Sequence, residues 1–481
     1  MKKFLKVAAS VTAAGVLISG ISGCKNKKAE TAETTSSDTV KVFVSLKNRP
    51  DCALVSKELS KITREKLGFD VEFMFGYNAD KIALMLASDE QMDIGFDDSK
   101  TFVERVRQNA YTDITDKLKK EYKSLYNAIP EELWNGSAVD GKNYAVPTYK
   151  EYAEEWTVLA DKKVIEENNI DISGMHELKD AEPILAALKK DPERAGFEIL
   201  SSSQIHLNLA LKNKYDVVTD YFVVKRDEPE KIVHFMETDE YRDFVNLMRS
   251  WYNKGYIAKD ITTRTDYDFY HNAGKTGLCY MSYHPCAEAS LSNAYNAELQ
   301  PIHVSPITKS NTSMMGSLFG IYSKSKNVDS ALKFLQLWNT DANVKNMITY
   351  GIEGRHYNLV NGKVQRTEGA LDLYKMDNAT SGNMMISYLL TDEPDDKYEQ
   401  FKTFNSEAID AATLGFLPNI TSIKNELSVC SNVVSEYNPL LCVGAVEPET
   451  YLKNMLSALK SAGLENVKAE PQKQYDEWRK K

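Results

Sequence analysis

The sequence predicts an α/β fold that begins as a parallel sheet with helices on its faces. Three observations carry this. Strand and helix patterns alternate three times between about residues 40 and 110. A second, strand-rich rhythm starts after Asp140-Gly141, a turn signal. No stretch beyond residue 23 is apolar enough to span a bilayer, which takes about 20 mostly apolar residues.

In order, "VKVFVSL" (40–46) puts Val40, Val42 and Val44 on one face, the period of a half-buried strand. In "CALVSKELSKITREKLG", Val55, Leu59 and Ile62 recur at helical spacing and Gly68 stands where a helix stops. A strand over 69–75, a helix over 81–88 and a strand over 93–96 follow, and the Asp and Ser of "DDSKTFVERVRQNA" cap the next helix. Parallel strands joined by helices place ligands beyond the strands' carboxyl ends, here 45–49, 75–78 and 96–99. Beyond Gly141, "NYAVP" is a short strand stopped by Pro147, and "EWTVLA" is a strand leading into a helix. Mixed patterns fill 176–275. Strands then run over 275–285 and 314–323, and Ala331, Leu335 and Trp338 mark a helix face. Leu452, Met455, Leu456 and Leu459 form a last stripe closed by Gly463. Trp134, Trp251, Trp338 and Trp478 sit among aliphatics at helical spacing and are expected to be structural.

The start of the chain has another purpose. Lys2, Lys3 and Lys6 precede an uncharged stretch of Ala, Val, Leu, Ile, Ser and Gly, the plan of a secretory signal over 1–23. Its ending, Ile21-Ser22-Gly23-Cys24, resembles the bacterial lipobox, in which the cysteine becomes the first mature residue and carries lipid. Residues 24–38 are polar, small and free of aromatics, the composition of a disordered tether. Several acyl chains on Cys24 would hold the globular part, from Thr39 onward, at the outer face of the membrane.

Formal charge is −10 and becomes −13 without Lys2, Lys3 and Lys6. An acidic chain with no basic stripe excludes nucleic acid as a partner. Five cysteines remain beside Cys24, and an odd number leaves one unpaired; Cys279 with Cys286, or Cys430 with Cys442, could bridge, or all could be small buried side chains. His271, Cys279, His284 and Cys286 match no familiar zinc spacing, so neither metal nor cofactor is expected.

Four stretches resemble the extracellular solute-binding proteins of ABC importers, in the cluster that includes maltose-binding protein. They are "VFVSLKNRPDCALVSKELSKITREKLGFDVEF", "DIGFDDSKTFVERVRQNAYTDITDKL", "DGKNYAVP", and "AGKTGLCYMSYHP" followed by "LFGIYSKSKNVDSALKFLQLWNTDANVKNMI". "YGIEGRHYNLVNGKV" and "EPQKQYDEWRKK" are similar to a LipO-like Firmicutes branch. The resemblance implies a two-lobed periplasmic-binding-protein fold, type II-like, with discontinuous lobes joined by hinge strands. It implies crossings near Pro147, 280–285 and 320–325. Lobe I would comprise 39–147 and 284–322; lobe II would comprise 148–283 and 323–481, with the C-terminal helices.

The same resemblance, with strand-end positions, selects ligand-binding candidates. Asn48 and Arg49 offer donors after the first strand, and Asp97 and Asp98 follow the third, where an Asp also caps a helix. Tyr149, Tyr152 and Trp156 flank the first crossing, and Tyr283 and His284 end the return strand, where aromatic rings would suit sugar faces. Glu353, Arg355, His356 and Tyr357 form a polar cluster expected to brace the lobe interface, with contact to the ligand as the alternative. The implied function is a monomeric, lipid-anchored binding protein that delivers an oligosaccharide to an ABC permease. A peptide carrier, a surface glycoside hydrolase and an adhesion or sensory lipoprotein are the alternatives. The carboxylate pairs Glu131-Glu132, Glu154-Glu155 and Asp395-Asp396 read as exposed charges, and no GxSxG, HExxH or GxxxxGK[ST] motif appears, so no enzyme is expected.

Overall fold

Val40, Val42 and Val44 are buried on an inner strand of a five-stranded sheet. The computed structural model describes residues 39–76, 88, 92–265 and 268–480. The expected signal, Cys24 and the tether lie outside them, as does the helix over 81–88 apart from Ser88. No helix among the described residues is long and apolar enough to cross a membrane.

β1 (Thr39–Val44) pairs in parallel with β2 (Asp70–Phe75) and β3 (Ile94–Asp97), in the expected order. β12 (Leu318–Ile321) lies antiparallel between β3 and β4 (Ala145–Pro147), with Leu318 opposite both Asp97 and Pro147. Val44, Phe75, Asp97, Pro147 and Leu318 therefore share one sheet edge. Gly95 and Gly320 face each other in this register, and a side chain at either would collide with the ring of Tyr322 or Tyr111 that crosses the sheet there. Helix Cys52–Leu67 ends at Gly68, whose left-handed φ of 85° turns its N–H onto the Arg64 carbonyl.

On one face of this sheet Phe73, Phe319 and Phe334 surround the fully buried Trp338, with ring centroids 4.8 to 6.2 Å apart. Aromatic pairs of this kind add about 0.5–1.5 kcal/mol beyond the area they bury. The core extends through Ala331, Leu335 and Ile348 to Tyr374 and Met376. The expected boundaries put 323–481 in the other lobe, yet helix Val328–Thr340 folds straight back over the sheet that β12 has just completed.

In the second core, β5 (Glu155–Asp161) lies between β9 (Cys279–Tyr283) and β10 (Leu299–His303), antiparallel to both. Residues 284–304, expected in lobe I, therefore stay with the second lobe, because β10 hydrogen-bonds β5. Beside it, β6 (Tyr215–Thr219), β7 (Phe222–Lys225) and β8 (Glu228–His234) form a meander. Helix Asp239–Lys254 starts on Thr238, whose hydroxyl accepts the Tyr241 N–H at 3.1 Å. It packs with the C-terminal helices Lys424–Cys442, Pro448–Ser461 and Leu464–Trp478. Helix Pro448–Ser461 stops just ahead of Gly463, as expected, and Gly463, φ 88°, leads into Leu464–Trp478. Trp134, Trp251 and Trp338 are buried, and Trp478 stacks on Tyr475.

Three shorter pieces complete the chain. β11 (Thr308–Lys309) pairs with β15 (Ile409–Asp410). β13 (Tyr357–Val360) and β14 (Lys363–Arg366) form a hairpin over Asn361-Gly362, both at positive φ. Cys52, Cys279, Cys286, Cys430 and Cys442 are all unpaired thiols.

Candidate functional site

The backbone passes between the two cores at 148–154, 305–310 and 405–411. Pro147, near which the first crossing was expected, ends β4, while 280–285 runs along β9 of the second sheet and 320–325 leaves the end of β12 in the first.

Backbone pairing laces the three passages together. Glu154 and Thr308 exchange N–H···O bonds of 2.9 Å in both directions, and Ile409 and Ala411 donate to Ile307 O and Lys309 O at 3.0 and 2.8 Å. Asn405 Oδ1 accepts the N–H groups of Tyr152 and Ala153 at 2.9 and 3.1 Å. Charged side chains continue the lattice. Glu154 Oε1 accepts from Lys212 Nζ at 2.6 Å and Ser310 Oγ at 2.9 Å. Lys309 Nζ reaches both Glu132 and, at 3.1 Å, Asp410, while Tyr152 OH donates to Glu132 Oε2 at 3.0 Å. Glu132 and Glu154, read from sequence as exposed charges, are thus the acceptors that hold the crossings. Glu155 is buried and accepts from His303 Nδ1 at 2.8 Å, which raises the imidazole pKa. Glu154 and Glu155 serve different partners and do not form an acid–base pair.

The candidates fall on the two sheet edges that meet these crossings. On the first lobe, Asn48 is exposed, and Arg49 Nη1 lies 3.8 Å from Asp372 Oδ1. Their loop is anchored by Asp51, which takes Arg355 Nε and Nη2 at 2.7 and 3.0 Å and His356 Nε2 at 2.9 Å. The Arg355 guanidinium holds the Asp51 carboxyl below the usual carboxylate range. The His356 ring accepts Ile352 N–H on Nδ1, so Nε2 carries the proton given to Asp51. Arg355 and His356 both bind Asp51 and so brace the loop.

Asp97 differs from its expectation. It is 2% exposed, and its oxygens accept from Asp98 N (2.9 Å), Thr101 Oγ1 (2.6 Å), Arg105 Nη1 (2.9 Å) and Tyr111 OH (2.7 Å). A carboxylate so filled has no lone pair to offer a ligand. Asp98 accepts Lys100 N–H at 2.9 Å and shapes the turn into helix Phe102–Arg107.

At the crossing, Tyr149 is half-buried, with its ring 6.5 Å from that of Tyr152. Burial raises both hydroxyl pKa values. On the second lobe, Glu155 pairs with Tyr283 and Trp156 with Ser282, so these residues and His284 gather at the end of β9. Tyr283 OH donates to Glu288 and its ring meets His303 edge-on at 5.5 Å. His284 is half-buried against Phe401 at 5.6 Å. Trp156 is 6% exposed within the second core, its indole N–H without a partner among the described residues. Tyrosines whose hydroxyls are taken by carboxylates present ring faces, not donors.

Sequence reasoning missed Glu132, Glu154, Lys212, Lys309, Ser310 and Asn405. Tyr152 lies 20 residues from Glu132, and Tyr152 and Ala153 lie 253 and 252 from Asn405, separations no local pattern encodes.

A family described as bacterial extracellular solute-binding protein matches residues 60–355, and a domain of unknown function matches 412–480. A carbohydrate ABC transporter substrate-binding protein of Streptococcus pneumoniae is 28% identical over all of this chain and 99% of its own length. Lipoprotein LipO of Bacillus subtilis is 25% identical over half of each chain. Among solved structures, the N-glycan transport solute binding protein NgtS of S. pneumoniae superposes with a TM-score of 0.83 at 26% identity, covering 92% of this chain and 99% of that one. Its complex with Man5GlcNAc gives 0.71 at 27% identity, covering 92% and 98%.

Proposed function

The chain belongs to the bacterial extracellular solute-binding protein family, and we propose that it captures an oligosaccharide between its lobes and delivers it to an ABC permease. The division of the described chain into two large apolar cores laced through one polar waist carries this reading. Such a waist lets ligand contacts from both sides favour a closed form, by as much as their differential affinity for it. The full-length likeness to NgtS, solved with Man1GlcNAc and Man5GlcNAc, supports a mannose-containing glycan. Asn48, Arg49, Tyr149, Tyr152, Trp156, Tyr283 and His284 are the proposed contacts, with Asp97 and Asp98 shaping the loop behind them. Cys24 is the proposed lipid anchor, supported by the lipobox-like sequence and by a lipoprotein among the relatives. The lobes are proposed to divide as 39–147 with 311–376, and 155–304 with 412–480.

Trp156 and Tyr283 are too deeply packed to be clean probes, since truncating a buried aromatic costs about 3–5 kcal/mol of stability. Tyr149 and His284 are half-buried and serve better. Calorimetric titration with Man5GlcNAc should show saturable binding and unchanged sugar on chromatography. Tyr149→Ala and His284→Ala should each weaken it about tenfold, or 1.4 kcal/mol. Binding of peptides and not glycans would replace the proposed cargo; released monosaccharide would replace the proposed function.

A further inference from the structure

We propose that Glu198, His271 and Cys279 bind one divalent transition-metal ion of the zinc class on the second lobe. Cys279 opens β9 and Tyr283 ends it, so at about 3.4 Å per residue the site lies some 14 Å along the strand from the crossings.

A carboxylate oxygen of Glu198, a ring nitrogen of His271 and Cys279 Sγ lie within 4.8 Å of one another, although 73 and 8 residues separate them in sequence. These are three of the commonest zinc donors, with metal–ligand distances of about 2.0–2.3 Å that set tetrahedral ligand atoms roughly 3.3–3.6 Å apart. Glu198 and His271 now share a 2.6 Å hydrogen bond. An entering ion would replace that bond, and the side chains would part by about 1 Å, within reach of an imidazole on the short helix Asp268–Asn272 that is 23% exposed. The carboxylate is already oriented: Oε1 accepts Thr276 Oγ1 at 2.6 Å and the Gly277 N–H. The Tyr295 ring packs on His271 at 4.4 Å and fixes the imidazole. Outer contacts of this kind orient metal ligands.

Charge favours the same reading. A carboxylate, a thiolate and a neutral imidazole sum to −2, so a dication leaves a neutral cluster in a setting where Glu198 and Cys279 are both buried. Cys279 would release its thiol proton to water on binding, and a water would take the fourth position. A Glu–His hydrogen bond by itself needs no thiol beside it. His284 and Cys286, the other residues of the sequence cluster, lie elsewhere: one meets Phe401 and the other donates to Gln400 Oε1 at 3.2 Å.

The test is titration of tag-free protein with Co²⁺, read by thiolate-to-cobalt charge-transfer absorption, then displacement by Zn²⁺. The expected result is saturation at one ion per chain, loss of the band in Cys279→Ser, at least tenfold weaker binding in His271→Asn, and no change in Cys286→Ser. The circular dichroism of His271→Asn should match the parent, which separates lost ligation from lost folding. Absence of the band, its survival in Cys279→Ser or its loss in Cys286→Ser would overturn the assignment. Since the site is remote from the crossings, glycan titration should be unaffected by the metal, so this proposal and the proposed function stand or fall separately.

Discussion

Lowering the pH from 7.5 to 5.0 should destabilise the protein through two buried imidazoles. His206 lies between Ser203 O (3.1 Å from Nδ1) and Cys442 O (3.0 Å from Nε2), and His234 meets Phe222 edge-on at 5.1 Å. Burial pushes both pKa values down to about 4 in the folded chain, against about 6.5 unfolded. The unfolded state thus binds more protons between those limits. Their contribution is intact above pH 6.5 and is lost progressively as pH falls towards 4. At pH 5 linkage gives about 2 kcal/mol for each histidine, so about 4 kcal/mol for the pair. His303 opposes this: Glu155 raises its pKa, so its stabilisation is full below about 6.5 and disappears as pH rises through the folded value. Urea midpoints at the two pH values measure the fall, with an unchanged m-value indicating the same unfolding reaction. The His206→Gln/His234→Gln double variant should lose most of the pH difference, whatever its absolute stability. If its midpoint drops as far as that of the parent, burial of these rings is not the cause.

Other expectations concern the crossings and the helical end. Asn405→Ala leaves the Tyr152 and Ala153 N–H groups without their acceptor and should cost about 2–4 kcal/mol in chemical denaturation. Gly444 has φ 68° and its α-carbon faces the Met248 carbonyl, so Gly444→Ala should cost more than about 3 kcal/mol and show as a lowered melting temperature. Glu132→Gln weakens the grip on Lys309 and Tyr152 without removing a proposed ligand contact; it should shift glycan affinity severalfold through the open–closed balance while leaving stoichiometry at one. An affinity within experimental error of the parent would separate that lattice from closure.

Periodicity made the first sheet legible because β1, helix Cys52–Leu67, β2 and β3 are local, each pattern carrying its own period and stop signal. Gly68 and Pro147 end their elements where the sequence says they should. The ownership of 284–304 and 323–376 was not legible, since it depends on which sheet each returning strand joins. β10 could have completed either sheet until its pairing with β5 decided the matter. Among candidate site residues, strand-end position gives the sheet edge on which each residue lies, but not each side chain's partners. Asp97 has the same local context as a ligand-facing carboxylate; Arg105 and Tyr111, arriving on a later helix and loop, turn it inward. Glu154 looked like half of an exposed acidic pair because Lys212 and Ser310 come from distant segments.

The three passages also dictate an order of assembly. The first core lacks Tyr374 and Met376 until three quarters of the chain exists, and β5 has no β10 beside it until residue 299. The second core further awaits Val467 and Tyr475, a few residues from the end. A chain that has not yet reached these residues therefore carries half-built hydrophobic surfaces, and the long-range pairings that close them form slowly.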